Sequence, residues 1–429
     1  MLLLLFFMIV LGLDVALSMG CASVIELIIL RGINHIPFDM IAQKVLYGVN
    51  NFTILAIPFF LFAGQLGNEL KITERVFELA NSLVGKWRGG LAHANVVASM
   101  VFAGMSGSAV ADAGGLGRVE IEGMTKAGYT LEFSAAVTGA SSTIGPIIPP
   151  SIPMVIYGAL AGVSITKLFI GGVIPGIMMG IGMMVVTFIL VSSPKTKGKV
   201  LNDKKSFNRP PFLKSLKKGI LPLFAPIILV GGILSGFFTP TEAAAVTIVY
   251  MCILGIIYKT ISFKGLLKVL KSSAIDTTVI LFIVAASSIY SWILARYQVT
   301  SALSEALPKF TTSPFFLLII LNLILLVVGC FMDPTPALFI LTPIFVPLVQ
   351  RYGIDPTYFG VIMVFNLVIG LITPPVGTVL YTLQKITKLP FEKIVKAIIP
   401  FYIPLVLVLI IMIIYPSLVM FLPNLMVGR

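Results

Sequence analysis

Four short stretches of this sequence carry the residue types that could bind a small ion or an anion. They are Gly104-Met-Ser-Gly-Ser-Ala-Val-Ala-Asp112, Ser141-Ser-Thr-Ile-Gly-Pro-Ile-Ile-Pro-Pro-Ser-Ile-Pro153, Gly329-Cys-Phe-Met-Asp-Pro-Thr-Pro336 and Gly370-Leu-Ile-Thr-Pro-Pro-Val-Gly-Thr378. Glycine lets the chain turn, proline removes backbone donors and frees carbonyls upstream, and Ser and Thr add hydroxyl oxygens. Unwound carbonyls and hydroxyls can replace the water shell of a hard cation such as Na⁺, so two such sites are implied. A broken helix also presents free N–H groups and a partial positive charge where its second segment starts. No Lys or Arg stands in these breaks. An anion would therefore be held by half-helix N-termini, by Ser106, Ser108 and Ser151, and by the bound Na⁺ itself. Asp333 reads as a sodium ligand or a gate residue near one, against the plainer readings of an N-cap or a partner for a distant arginine. Asp112 is expected to cap the returning arm of the first hairpin, and Asp14, Glu26, Glu242 and Asp276 to sit near the ends of crossings.

The elements that position these groups are membrane helices. Of the 429 residues 58% are hydrophobic and only 11% charged, with a mean hydropathy of +1.06, whereas a soluble domain is about a quarter charged. Three cysteines, each in an apolar run, and two histidines leave no disulfide framework or zinc site. The N-terminus reads as a mature start and not a cleaved signal peptide. A lipid bilayer needs about 20 apolar helical residues per crossing. Such runs fall at about 49 to 68, 134 to 160, 169 to 191, 220 to 237, 241 to 258, 275 to 295, 357 to 384 and 398 to 421. Residues 91 to 125 and 314 to 350 are interrupted at their centres and read as re-entrant hairpins, because lipid cannot satisfy backbone groups freed at a break. Segments 134 to 160 and 357 to 384 read as broken crossing helices.

Adding 225 to Gly104, Gly128, Gly145, Pro149, Pro150 and Pro175 gives Gly329, Gly353, Gly370, Pro374, Pro375 and Pro400 without a gap, where chance gives about one such match. The same offset lays residues 2 to 30 over 227 to 255, which favours two short N-terminal helices. The expected organisation is a first repeat over 1–191, a basic cytoplasmic linker over 192–219 and a second repeat over 220–429. With five crossings and one hairpin in each half, the repeats run in opposite directions, a transporter pattern.

Charge tests that arrangement. It places 23 of the 30 basic residues on one side, which the positive-inside rule makes cytoplasmic. That side holds 71 to 88, Arg118, Lys126, the 192 to 219 linker, a 259 to 271 loop and 385 to 396. Both termini then lie outside. The net charge of +13 is thus explained by topology; the linker lacks the aromatic interleaving of a nucleic-acid patch, so no nucleic-acid partner is expected. Segments 32 to 48, 71 to 89 and 296 to 312 are too polar to cross and read as helices lying flat at the interface.

Two rival functions can be set beside this. Gly104-Met-Ser106-Gly107 matches the G-x-S-G of intramembrane serine proteases, but only His93 and His35 could serve as base. A stand-alone sodium–dicarboxylate carrier of related fold is the nearer alternative. No phosphate-binding Gly-x-x-x-x-Gly-Lys-Ser/Thr loop is present.

Over essentially its whole length the chain resembles the large membrane subunit of the tripartite ATP-independent periplasmic (TRAP) transporters. The resemblance is most specific at 104–113, at 140–153, at Phe238-Thr-Pro-Thr-Glu-Ala-Ala-Ala245 and at Leu371-Ile-Thr-Pro-Pro-Val-Gly377. It implies an all-α polytopic protein of the bacterial inner membrane that works as an elevator, taking up C4-dicarboxylates, keto acids or sialic acid with a Na⁺ gradient. It further implies two partners, a small four-helix membrane subunit and a periplasmic substrate-binding protein. Carried over, the substrate would meet Ser106, Ser108, Pro150 and Ser151. Na⁺ would be held by Ser108, Thr143 and Gly145 in the first half and by Asp333, Thr335, Thr373, Pro374 and Gly377 in the second.

Overall fold

The computed structural model describes residues 1–193, 200, 211–299, 311–426 and 428. The expected 192–219 linker thus lies mostly outside the described residues, as does 300–310 of the expected flat helix over 296–312.

The first part of the chain forms α1 (Leu2–Val10), α2 (Val15–Arg31), α3 (Phe38–Val49), α4 (Ala56–Glu69) and α5 (Ile72–Val84). It continues through α6 (Gly90–Ser106), α7 (Ala109–Gly114), α8 (Leu116–Lys126), α9 (Leu131–Ser142), α10 (Ile152–Ala161) and α11 (Ile165–Ser192). The second part holds α12 (Phe212–Leu234), α13 (Pro240–Ile257), α14 (Phe263–Arg296), α15 (Pro314–Phe331) and α16 (Pro334–Arg351). It ends with α17 (Pro356–Gly370), α18 (Thr378–Thr387), α19 (Phe391–Ile414) and α20 (Pro416–Met426). Among the described residues, seven helices are long and apolar enough to cross a membrane, including α11, α12, α13, α14, α15 and α19.

The N-terminal 30 residues form two helices, as expected, because Gly12 turns the chain at a φ of +86° and Asp14 accepts from the Ala16 amide at 2.9 Å to start α2. Thr239 and Glu242 form a reciprocal capping box ahead of α13, with the Thr239 N–H donating to Glu242 Oε2 at 2.8 Å and Pro240 opening the helix. α3 and α5 are helical, within two of the segments read as lying flat.

Three expectations need correction. The 259 to 271 loop is not a loop: Ser262 caps Gly265 at 3.0 Å and α14 runs from Phe263 for 34 residues, its first turns carrying Lys264, Lys268 and Lys271. Charge marked the segment as loop, but lysine is a good helix former. Asp276 therefore lies inside a helix and not at its end. The run at 398 to 421 is not one crossing either, since α19 stops at Ile414 and α20 restarts at Pro416.

α17 is the innermost element, with every residue from Thr357 to Gly370 buried; a helix apolar on all sides must be enclosed by others. α9 is buried from Phe133 onward. α15 packs on α17, α9 on α19, and α10 on α16 and α17, so the two parts of the chain interlock. Around them α2, α3 and α4 pack against α14, α4 also against α13, and α12 bridges α13 and α5.

Candidate functional site

Each interrupted stretch stops one helix and starts another, three of them on a capping side chain and the fourth on Gly377. α6 ends at Ser106; Gly107 then takes a left-handed φ of +60° and Ser108 accepts from the Ala111 amide at 3.4 Å to open α7. Asp112 is therefore not the cap. It lies in the first turn of α7, buried, with the Ser99 side chain beside its carboxylate. Ser108, four residues earlier, was the better signal, since its hydroxyl can reach the N3 amide. In the second hairpin Asp333 accepts from the Thr335 amide at 3.2 Å and Pro334 starts α16. The side chains of Thr335 and Thr378 lie beside the Asp333 carboxylate, which gathers three oxygen-bearing groups from a hairpin tip and the start of α18.

The broken helices are built alike. Between α9 and α10, Thr143 donates to the Ala140 carbonyl at 2.6 Å, and Ser151 donates to the Pro146 carbonyl while accepting from the Met154 amide at 3.2 Å. Between α17 and α18, Thr373 donates to the Ile369 carbonyl at 2.8 Å and Gly377 turns at a φ of +59°. The Pro149-Pro150 and Pro374-Pro375 peptide bonds are both cis. Tyr402 on α19 holds the second break by donating to the Ile372 carbonyl at 2.6 Å.

Each hairpin tip is seated on a broken helix. The Ile152 amide donates to the Gly107 carbonyl at 3.5 Å, and a Cβ on Gly107 would stand 2.6 Å from the Pro150 carbonyl oxygen. In the second pair the Val376 amide donates to the Cys330 carbonyl at 3.1 Å. There a Cβ on Gly370 would stand 2.3 Å from the Gly329 backbone. Deeper in, polar side chains tie hairpin to helix. Asn95 donates to Thr138 and accepts from Ser141, both at 2.7 Å, and Asn366 donates to Asn322 Oδ1 at 2.7 Å. Membrane interiors offer no water to these groups, so they must find each other.

One cavity of about 950 Å³ brings both tips together. Ser106 and Ser108 reach it from the first hairpin, Asp333 and Thr335 from the second, and Pro146, Ile152 and Leu371 from the breaks. Thr143, Gly145, Pro150, Ser151, Thr373, Pro374 and Gly377 do not line it; Thr373 and Pro374 are half-buried and the other five are buried. Gly145 lies against the Ser108 backbone, where a Cβ would approach the carbonyl carbon at 3.6 Å.

The opposite wall was not legible in the sequence. It is made by α2, α4 and α14, with Gln65 donating to Asp276 at 2.6 Å and accepting from Ser273 at 3.0 Å. Arg118 and Lys268 line the cavity as well, Lys268 paired with Glu69 at 3.3 Å. The only signal for Asp276 and Gln65 was a polar side chain within an apolar run, since about 210 residues separate these partners and no periodicity links them.

The arrangement can hold cations among oxygens and an anion among hydroxyls and a guanidinium. It cannot activate a serine: the Ser106 hydroxyl has no hydrogen-bond partner among the described residues, and His93, near the far end of α6, has its Nε2 3.1 Å from the Arg88 carbonyl.

Residues 2–418 match the family described as "Tripartite ATP-independent periplasmic transporter, DctM component". The chain is 41% identical, over 92% of its own length and 92% of the relative's, to the sialic acid TRAP transporter large permease protein SiaM of Vibrio cholerae. It is 38% identical, over 90% of its length and 89% of the relative's, to the C4-dicarboxylate TRAP transporter large permease protein DctM of Pseudomonas aeruginosa. In fold it is similar to the YdaH transporter of Alcanivorax borkumensis, with a TM-score of 0.65 at 14% identity over 90% of this chain and 89% of that one.

Proposed function

We propose a role for this chain, which belongs to the DctM-component family of tripartite ATP-independent periplasmic transporters: it is the membrane subunit that moves an organic acid anion inward with Na⁺. As a TRAP large permease the chain is a multi-span transporter subunit and not an enzyme. The observation that carries the reading is the single cavity into which both hairpin tips project, the carboxylate of Asp333 from one and the hydroxyls of Ser106 and Ser108 from the other. Two relatives named for different organic acids, sialic acid and C4-dicarboxylates, support an organic anion as the cargo class.

In this reading Na⁺ sits among Ser108, Thr143 and Gly145 in the first half, and among Asp333, Thr335, Thr373, Pro374 and Gly377 in the second. Ser106 and Ser108 face the anion, with Pro150 and Ser151 supporting them from behind the cavity wall. The halves are inverted repeats, and the hairpins and broken helices ride as an elevator against α2, α4 and α14. The protein sits in the bacterial inner membrane with both termini outside, receives substrate from a periplasmic binding protein and pairs with a small four-helix membrane subunit. Each net charge that enters gains about 2.3 kcal/mol per 100 mV, so two or more Na⁺ with a monoanion concentrate it steeply without ATP.

The test is uptake of radiolabelled N-acetylneuraminate and succinate by proteoliposomes holding the assembled complex, with an imposed Na⁺ or K⁺ gradient. Uptake in Na⁺ and none in K⁺ is expected, with Asp333→Ala and Ser151→Ala both reduced. Equal uptake with either cation removes the coupling, and wild-type rates in both variants remove the site assignment.

A further inference from the structure

Six charged side chains line the cavity: Asp14, Glu69, Arg118, Lys268, Asp276 and Asp333. Five are answered from within the protein. Asp14 and Asp333 cap helices at 2.9 and 3.2 Å, Glu69 and Lys268 face each other at 3.3 Å, and Asp276 accepts from Gln65 at 2.6 Å. Arg118, on α8, is exposed and has no ion pair or hydrogen bond among the described residues. The same hairpin turns the Ser106 hydroxyl toward the cavity, 1% exposed and also without a partner. A buried hydroxyl with no partner and a free guanidinium thus line one space, the hydroxyl at its depth and the guanidinium at its open rim.

We propose that Arg118 is a substrate-binding residue of the transport site: at the rim of the cavity its guanidinium takes the carboxylate of the organic anion, while the Ser106 hydroxyl meets the body of the molecule. A planar guanidinium matches a carboxylate with two parallel hydrogen bonds. Because the other cavity cation is already paired with Glu69, Arg118 is the one cavity cation among the described residues left free to meet an anion. The ligand class is an organic acid with one carboxylate leading and hydroxyl or carbonyl groups behind. The contact is one-sided, since the cavity rim where Arg118 and Lys268 are exposed belongs to the cation-rich face of the chain. This assignment rests on the transport reading above and names the group that serves the anion on that face.

The experiment uses the assembled complex in liposomes of known orientation, with radiolabelled N-acetylneuraminate and succinate as probes, and measures half-saturation from each face. Arg118→Gln is expected to raise it about tenfold on the face carrying Arg118 and Lys268, the scale of one charge-assisted contact. On the opposite face it stays within about twofold, and the half-saturation for Na⁺ does not move. Arg118→Lys keeps charge but not the fork, so it recovers only part of the loss; it also supplies the measurement if Arg118→Gln fails to insert. Unchanged half-saturation on both faces, or an equal rise on both, overturns the assignment. Uptake that runs equally in K⁺ defeats the sodium coupling instead, and leaves the comparison of Arg118 variants decided on its own terms.

Discussion

The two hairpins share a spacing and differ in how firmly they are held. α6 ends at Ser106 and α15 at Phe331, 225 residues apart, and Ser108 and Asp333 cap the returning arms at the same offset. After Ser108 the chain makes only the six residues of α7, stops at Gly115 and restarts as α8. After Asp333 it runs through α16 without a stop for 18 residues, despite Pro343 and Pro347. The first tip meets its broken helix through a 3.5 Å amide contact and the approach of Gly107 to the Pro150 carbonyl, the second through a 3.1 Å amide contact and a closer approach of the Gly329 and Gly370 backbones. A sequence repeat has therefore produced one segmented hairpin bearing hydroxyls and a guanidinium, and one continuous hairpin bearing a carboxylate. The difference assigns capacity for adjustment to the first and a fixed, charged position to the second.

The largest expected effect is at the tight contact. Gly370→Ala puts a methyl group 2.3 Å from backbone atoms that cannot rotate away, and overpacking of this kind costs about 3 kcal/mol or more. Its counterpart Gly145→Ala meets nothing closer than 3.2 Å. Thermal melting of the detergent-solubilised protein should fall far more for Gly370→Ala, and equal losses would erase the distinction between the hairpins.

A smaller contrast is chemical. Asp333→Asn keeps a capping oxygen but removes the charge, so Na⁺-driven uptake should be lost while melting changes little. Ser108→Ala loses the cap, about 1 kcal/mol, and uptake should fall only severalfold. A larger transport defect in Ser108→Ala than in Asp333→Asn would reverse the roles given to the two tips.

The smallest concerns the buried ties. Asn95→Ala takes the donor from Thr138 and one partner from Ser141, which keeps Ser99 and the Thr138 carbonyl, whereas Asn366→Ala takes the donor shared by the Asn322 side chain and carbonyl. Each change leaves a buried acceptor short of a partner, at about 1–3 kcal/mol, so the two melting temperatures should fall by similar amounts. A fall in Asn366→Ala alone would mean that the first hairpin does not depend on its polar ties to stay seated.

Much of this was legible because glycine, proline and hydroxyl residues break helices by their own chemistry, with no help from distant parts of the chain. Ser151, Asp333 and Gly377 stand at helix starts for that reason, and the pause at Gly12 divides the N-terminus. Charge misled at 259 to 271, where lysines belong to the first turns of a long helix, and at Asp112, where a nearer serine takes the capping role. The wall formed by Gln65 and Asp276 was hidden because it arises only when α4 and α14 converge. Such convergence leaves no local spacing to read.

The length of α14 sets how far water must travel. From Lys271, its last basic residue before the apolar stretch, to Arg296 is 25 residues, about 38 Å of helix against about 30 Å of hydrocarbon. The helix must lean, or its charged ends must stretch toward the headgroups. Asp276 follows Lys271 by five residues, about 8 Å along the axis. That wall of the cavity accordingly stands near the basic end of α14. An ion or anion that reaches Asp276 from that end has travelled about 8 Å along a stretch of about 38 Å, and most of its length still lies ahead.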